Sequence, residues 1–404
     1  MSSIRVPCDQ CRQRRIRCDG HTPCASCLRT HLSCRRKYIR KRRGRKEGDG
    51  KQIAALRATE ISDVQGFIVN CKEAGDILSS EDLPDLMKRC VGAYLEHMYP
   101  VMPLLKRSTL SDWFDRPLLA NEHSMLFALC ALVTTFMCGR SESIVGSVEW
   151  QSVARLFVRK SLLMRLEYDF IDDSTVLTLL SSFFLSVTFF ELHNIRQCWF
   201  YLREAINLAQ ILGLHTNEFY QDMDDVDALF CRRIYDILFV TERSFAISRH
   251  KPVLLSHPLP PPAKMSRGEQ EEGSEINPGF RQLVQVYSQL DVDFLHNWSQ
   301  EGLVCSSFSR ENRELDLVPD CDFILNTQKA DIFVTQHWLD LTFWRAALQQ
   351  GLLSTSAKSR SRTFSYPEDI SLSLLLVLSS LPTESVEVHG LGIVSNMMYF
   401  SCSN

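Results

Sequence analysis

The chain changes rhythm near residue 80. From there on apolar residues return every three or four positions, the spacing of helices that bury one face. Trp199, Leu202, Ala205, Ile206, Ala209 and Leu212 form one such stripe, and Gly213 follows where a helix-ending glycine belongs. Residues 176–190 carry no charge at all. That run is shorter than the roughly 20 residues needed to cross a bilayer, and Ser and Thr interrupt it, so it predicts a buried core helix. Residues 125–138 read the same way, and no transmembrane segment or targeting peptide is expected. The remaining residues are ample for one large core or two coupled helical subdomains.

Before residue 80 the pattern is different. Glu47-Gly48-Asp49-Gly50 is a flexible break that opens a linker over residues 47–75. Ile53 and Leu56 start a heptad that Glu60 and Gln65 end, so the linker predicts no coiled coil. A monomer and a homodimer paired through the larger domain both stay open. At the far side, His257-Pro258-Leu259-Pro260-Pro261-Pro262 predicts a stiff extended exit from the helical region, and residues 266–276 a polar surface loop.

Charge separates the same two parts. The formal net charge is −3, yet residues 1–46 hold fifteen Lys or Arg against Asp9 and Asp19, giving +13 for the head and −16 for the remainder. A basic head on an acidic body is the electrostatic footprint of nucleic-acid binding.

Six of the fifteen cysteines crowd into that head as C-x2-C-x6-C-x5-C-x2-C-x6-C: Cys8, Cys11, Cys18, Cys24, Cys27 and Cys34. Each half opens with a pair that can grip a metal through a tight turn, and structural zinc takes four ligands in a tetrahedron. Six thiolates serve two such ions only if two of them bridge, so the symmetry suggests a binuclear cluster rather than one zinc and two spare thiols. Disulfides would need an oxidising compartment, and residues 1–7 contain an Arg and no apolar stretch of a signal peptide. A segment this short has almost no core, so metal binding supplies its folding free energy. Arg12-Gln13-Arg14-Arg15-Ile16-Arg17 contains no helix breaker and predicts one or two helical turns between metal ligands, with arginines able to grip guanine O6 and N7. The run Arg35, Arg36, Lys37, Arg40, Lys41, Arg42 and Arg43 reads as a phosphate-contacting arm and a nuclear import signal.

These residues, Cys8-Asp-Gln-Cys11-Arg-Gln-Arg-Arg-Ile-Arg-Cys18-Asp-Gly-His-Thr-Pro-Cys24-Ala-Ser-Cys27 with Cys34, resemble the fungal Zn2Cys6 binuclear-cluster transcription factors at all six ligand positions. The resemblance implies two Zn2+ ions, with Cys8 and Cys24 bridging, Cys11 and Cys18 completing one site, and Cys27 and Cys34 the other. It also implies that Arg14 and Arg15 read bases at the helix start over a CGG-like triplet, while Arg12, Arg17 and the basic arm hold phosphates. The family usually has lysine where Arg15 stands, and Pro23 directly precedes Cys24, one residue nearer than in some members. Tyr94-Leu-Glu-His-Met-Tyr-Pro-Val-Met-Pro103, Ala205-Ile-Asn-Leu-Ala-Gln-Ile-Leu-Gly-Leu-His215 and the segment from Arg232 to Pro252 are similar, in order, to the middle homology region of the same regulators. Residues 380–392 further resemble a subset that includes regulators of sugar use.

The expected fold is therefore mostly α: a Zn2Cys6 module with its basic arm (1–46), the linker (47–75), a helical middle homology domain (76–265) and a helical C-terminal part (266–404). The expected function is nuclear, zinc-dependent, sequence-specific regulation of RNA polymerase II genes through double-stranded DNA and the transcription machinery, as an activator of a metabolic or biosynthetic gene set. The alternative is a repressor or truncated site competitor, since 404 residues is short for the family and the last eight show no acidic tail. No enzyme is expected: G-x-S-x-G, H-E-x-x-H and the phosphate-binding G-x-x-x-x-G-K-[ST] are all absent. The later cysteines read as small buried hydrophobes, His215 and His389 as helix-end residues, and Glu242-Arg243 as members of structural salt bridges on a helix.

Overall fold

A computed structural model describes residues 7–37, 83–138, 144–145, 149–172, 174–260, 276–299, 324–357 and 359–390. The linker, the end of the basic arm with Arg40, Lys41, Arg42 and Arg43, and most of the expected 266–276 loop lie outside them. The chain divides into two compact units, residues 1–67 and 68–404. Among the described residues every regular element is helical.

The first unit holds two single-turn helices, α1 (Asp9–Gln13) and α2 (Ala25–Arg29). In the second unit α3 (Leu83–Ala93) runs into a π-turn over Tyr94–Met98. Then follow α4 (Arg107–Asp112), α5 (Ala120–Phe136), α6 (Trp150–Met164), α7 (Val176–Glu191), α8 (Ile195–Ile211) and α9 (Asp225–Arg249). Beyond the proline-rich exit come α10 (Asn277–Tyr287), α11 (Val292–Ser299), α12 (Asn326–Gln349), α13 (Tyr366–Ser380) and α14 (Thr383–Glu387).

The uncharged run becomes α7, buried on nearly all sides between α5 and α8. Its ends are set by backbone chemistry. The Thr175 side chain caps the first turn by accepting from Thr178 N–H. At the other end His193 takes a left-handed φ of 58°, and Asn194 N–H bonds Phe189 O at 2.8 Å. The Asn194 side chain then caps α8 by accepting from Gln197 N–H, so three residues reverse the chain. Helix α8 closes as its sequence predicts. Gly213 has φ 83°, with Gly213 N–H on Gln210 O and Leu214 N–H on Ala209 O, the paired bonds of a Schellman ending.

One hydrophobic core runs from Leu86 through Leu339 and on to Val388. It crosses residue 265, and polar side chains stitch the same seam. Gln328 on α12 donates to Pro100 O and Ile276 O, and a Cβ at Gly279 on α10 would overlap it. Arg233, 2% exposed, donates to Asn277 Oδ1 and Pro103 O. Ile276, expected at a surface loop's end, is buried, because it begins the segment that docks α10.

Glu242 and Arg243 are structural, as expected, but the salt bridge of Glu242 runs to Arg203 on α8 rather than along one helix. They are neighbours along α9, so their side chains diverge, and each is captured by a different partner. Glu242 accepts from Arg203 Nη1 on α8 at 2.9 Å and from Leu254 and Leu255 N–H at 2.8 and 2.9 Å. Arg243 donates to Leu255, Ser256 and Leu290 carbonyls. Together they strap residues 254–256 onto the core. The later cysteines within the described residues, Cys90, Cys130, Cys198 and Cys231, are buried, whereas Cys138 is exposed. No described helix is long and apolar enough to cross a membrane.

Candidate metal centre and nucleic-acid interface

The head is built twice, with each element repeated sixteen residues on. Cys8 caps α1, its Sγ accepting from Cys11 N–H at 3.5 Å; Cys24 caps α2, accepting from Cys27 N–H at 3.4 Å. Arg12 N–H bonds Cys8 O as Leu28 N–H bonds Cys24 O, and Ile16 N–H bonds Cys11 O as Leu32 N–H bonds Cys27 O. Each helix ends on a residue with left-handed backbone, Arg15 at φ 53° and His31 at φ 49°. Both are Schellman endings, where glycine is the favoured residue.

This corrects the helix expected through Arg17. Helix α1 starts at Asp9 and stops at Gln13, so Arg14 and Arg15 lie in the turn after its C-terminus, not at its start. No residue there breaks a helix. The chain must turn back to bring Cys18 to the cluster, and that tertiary demand overrides local propensity. A left-handed arginine costs roughly 1–2 kcal/mol against glycine, a cost the fold carries while presenting that side chain to solvent.

The six sulfurs form two overlapping sets, Cys8, Cys11, Cys18 and Cys24, and Cys8, Cys24, Cys27 and Cys34, each set within 4.8 Å. The shared members are Cys8 and Cys24, 3.7 Å apart, with Cys11 3.5 Å from Cys24 and Cys27 3.6 Å from Cys8. Tetrahedral zinc with 2.3 Å bonds spaces its sulfurs by about 3.8 Å. A disulfide would need about 2.05 Å. The Cys11 and Cys27 amides hold the Cys8 and Cys24 thiols below their ordinary range. Burial pushes Cys11 up to about 12 and Cys27 in the same direction. Thiols packed this closely ionise together only with cations among them, as two zinc ions supply. The donor set fits two ions with Cys8 and Cys24 shared.

The charged surface is fastened around this cluster. Asp9 Oδ2 accepts from Lys37 N–H at 2.7 Å, while Asp9 N–H donates to Arg35 O, tying the chain after Cys34 back to α1. Asp19 accepts from Ala25 and His21 N–H, which hold its carboxyl below the usual range. Sequence reasoning gave these two acids no role beyond the charge count. Arg36 donates to Thr22 Oγ1 and His21 O. Arg12, Arg14, Arg15, Arg17, Arg35 and Lys37 all lie on the exposed surface of the head. Arg14 Nη1 also donates to Thr30 Oγ1 at 3.1 Å, reaching its own counterpart in the second half. Thr30 was missed by sequence reasoning; the sixteen-residue offset was the signal that could have found it.

Two zinc positions held by six thiolates, with a basic skin and a separate helical body, define a zinc-cluster DNA-binding regulator. Residues 6–44 match the family model described as the fungal Zn(2)-Cys(6) binuclear cluster domain, and residues 91–259 match the fungal specific transcription factor domain. The chain belongs to the fungal Zn2Cys6 transcription factors, and it is a DNA-binding transcription regulator. A probable sucrose utilization protein of Candida albicans is 25% identical over 97% of this chain and 77% of its own length. A maltose fermentation regulatory protein of Saccharomyces cerevisiae is 22% identical over 96% and 80%. A respiratory transcription factor of the same yeast is 24% identical over 97% and 82%. No solved structure matches the chain.

Proposed function

We propose that this protein is a nuclear activator of RNA polymerase II genes for sugar use. The observation that carries the reading is similarity across 96–97% of the chain to proteins named for sucrose utilization and maltose fermentation regulation. It acts by binding rather than catalysis. Arg14 and Arg15, side by side after α1, read a CGG-like triplet in the major groove. Arg12, Arg17, Arg35, Arg36 and Lys37, continued by Arg40, Lys41, Arg42 and Arg43, hold phosphates. Residues 76–404 form the regulatory body that engages the transcription machinery. The left-handed backbone at Arg15 supports its assignment, because a strained non-glycine residue kept on an exposed surface points to function.

Selection of sites from random DNA by the full chain tests this reading, and reports single or paired triplets and hence monomer or homodimer. Arg15→Ala is expected to lower discrimination between sites by about 1–3 kcal/mol, whereas Lys41→Ala weakens all sites alike. Equal losses on selected and random DNA for Arg15→Ala would remove the base-reading role. Fusing residues 47–404 to an unrelated DNA-binding domain tests activation: reporter output supports it, and silence favours a repressor or site competitor.

A further inference from the structure

The helical body contains a cavity of about 160 Å3 between α7, α9, α10 and α12, with His389 also in its lining. Its walls are mainly apolar and rich in rings, with Phe136, Phe183, Phe190, Phe245 and Tyr287 around it. Two carboxylates reach it, Glu191 from α7 and Asp331 from α12, and among the described residues no Lys or Arg lines it. Thr241, Ser244 and Ser248 present hydroxyls from one face of α9. His389 Nε2 lies 2.8 Å from Thr327 O, and a carbonyl only accepts, so that nitrogen carries the hydrogen. The opposite ring nitrogen, Nδ1, sits 3.9 Å from Asp331 Oδ2.

We infer that this cavity binds a small organic cation, an amine on a compact apolar or aromatic body. The charge pattern decides the sign. Aromatic rings and two carboxylates attract an ammonium group, while a carboxylate or phosphate would meet acids and, among the described residues, no Lys or Arg. The volume decides the size. An apolar cavity of about 150 Å3 holds benzene, so the ligand has on the order of six to ten non-hydrogen atoms, and a disaccharide does not fit. The amine lies toward Asp331 and His389, its apolar body among the phenylalanines. A molecule seated there touches α7, α9, α10 and α12 together, on both sides of the strapped residues 254–256. The inference is independent of the sugar-use reading, which concerns target genes rather than what the body binds.

Calorimetric titration of the full-length protein with benzylamine, benzyl alcohol, benzoate and maltose tests it. Benzylamine is expected to bind at least about tenfold more tightly than its neutral isostere benzyl alcohol, with no binding of benzoate or maltose. Asp331→Asn should bring the amine and the alcohol close to equal affinity, and Val240→Phe, which fills the cavity, should abolish both. Equal binding of amine and alcohol by the wild-type protein overturns the charge assignment without recourse to any variant. Absence of benzylamine binding at millimolar concentration, or binding undiminished by Val240→Phe, overturns the site.

Discussion

The carboxylate of Asp236 on α9 gives the helical body a built-in dependence on pH. Its Oδ1 is sealed from solvent with no hydrogen-bond partner. The Leu259 amide reaches the group and Arg232 lies near, yet burial dominates and pushes the carboxyl up to about 7 from 3.8. Tyr235 and Tyr220 also face this pocket and stay neutral throughout the range concerned, burial raising both. Between pH 3.8 and 7 the native state holds a proton that the unfolded chain has released, so stability falls as pH rises through that window. At about 1.4 kcal/mol per unit the ceiling is about 4 kcal/mol. The side chain is partly open to water, which screens part of the penalty, and about 2 kcal/mol is the expected effect. Asp236→Asn keeps an acceptor for Leu259 N–H and removes the charge. The variant should match the wild type near pH 4 and exceed it by about 2 kcal/mol at pH 8. All six tryptophans lie beyond residue 100, so urea unfolding followed by tryptophan fluorescence reports the body alone. A difference that stays constant from pH 4 to pH 8, or a less stable variant at pH 8, refutes the reasoning.

Further predictions concern the head and the strap. Cys8→Ala removes a sulfur common to both metal positions, so mass spectrometry of the variant should find neither zinc; one retained ion would contradict sharing. Arg15→Gly relieves the left-handed backbone and should stabilise the zinc-loaded module by up to about 1 kcal/mol while lowering site discrimination in binding assays; discrimination kept intact would show that the side chain reads nothing. Glu242→Ala leaves the Leu254 and Leu255 amides and Arg203 without their shared acceptor, and should cost about 3–5 kcal/mol. Hydrogen exchange at Leu254 and Leu255 should accelerate, and unchanged protection there would mean the strap is held by other contacts.

The cysteine spacing carried the metal centre almost whole, because ligand chemistry fixes both the residue type and its interval. The α7 run and the Gly213 ending were also legible, since burial and left-handed backbone leave direct marks on composition. The end of α1 was not. Nothing between Gln13 and Ile16 opposes a helix, and the turn is imposed by Cys18 returning to a cluster that joins distant residues. Glu242 and Arg243 were only partly legible for a related reason: a structural salt bridge forms, but between helices to Arg203, and the other partners are backbone groups at residues 254–256 and 290. The cavity left no local sign, since it is assembled from single residues on helices far apart in sequence.

The sixteen-residue duplication in the head has a consequence for how the module can vary. Both halves supply metal ligands and the same turn, but only the first turn carries an arginine pair, and Thr30 in the second instead braces Arg14. On the proposed reading, one copy is the contact surface and the other its buttress. Redundancy of backbone with division of side-chain labour predicts lopsided tolerance. Exchanges at Thr30 are expected to alter how firmly Arg14 is held, while exchanges at Arg14 and Arg15 are expected to alter what the proposed reader recognises. On that reading, new target preferences arise by rewriting two side chains on a frame that a second copy, sharing the same cluster, keeps rigid.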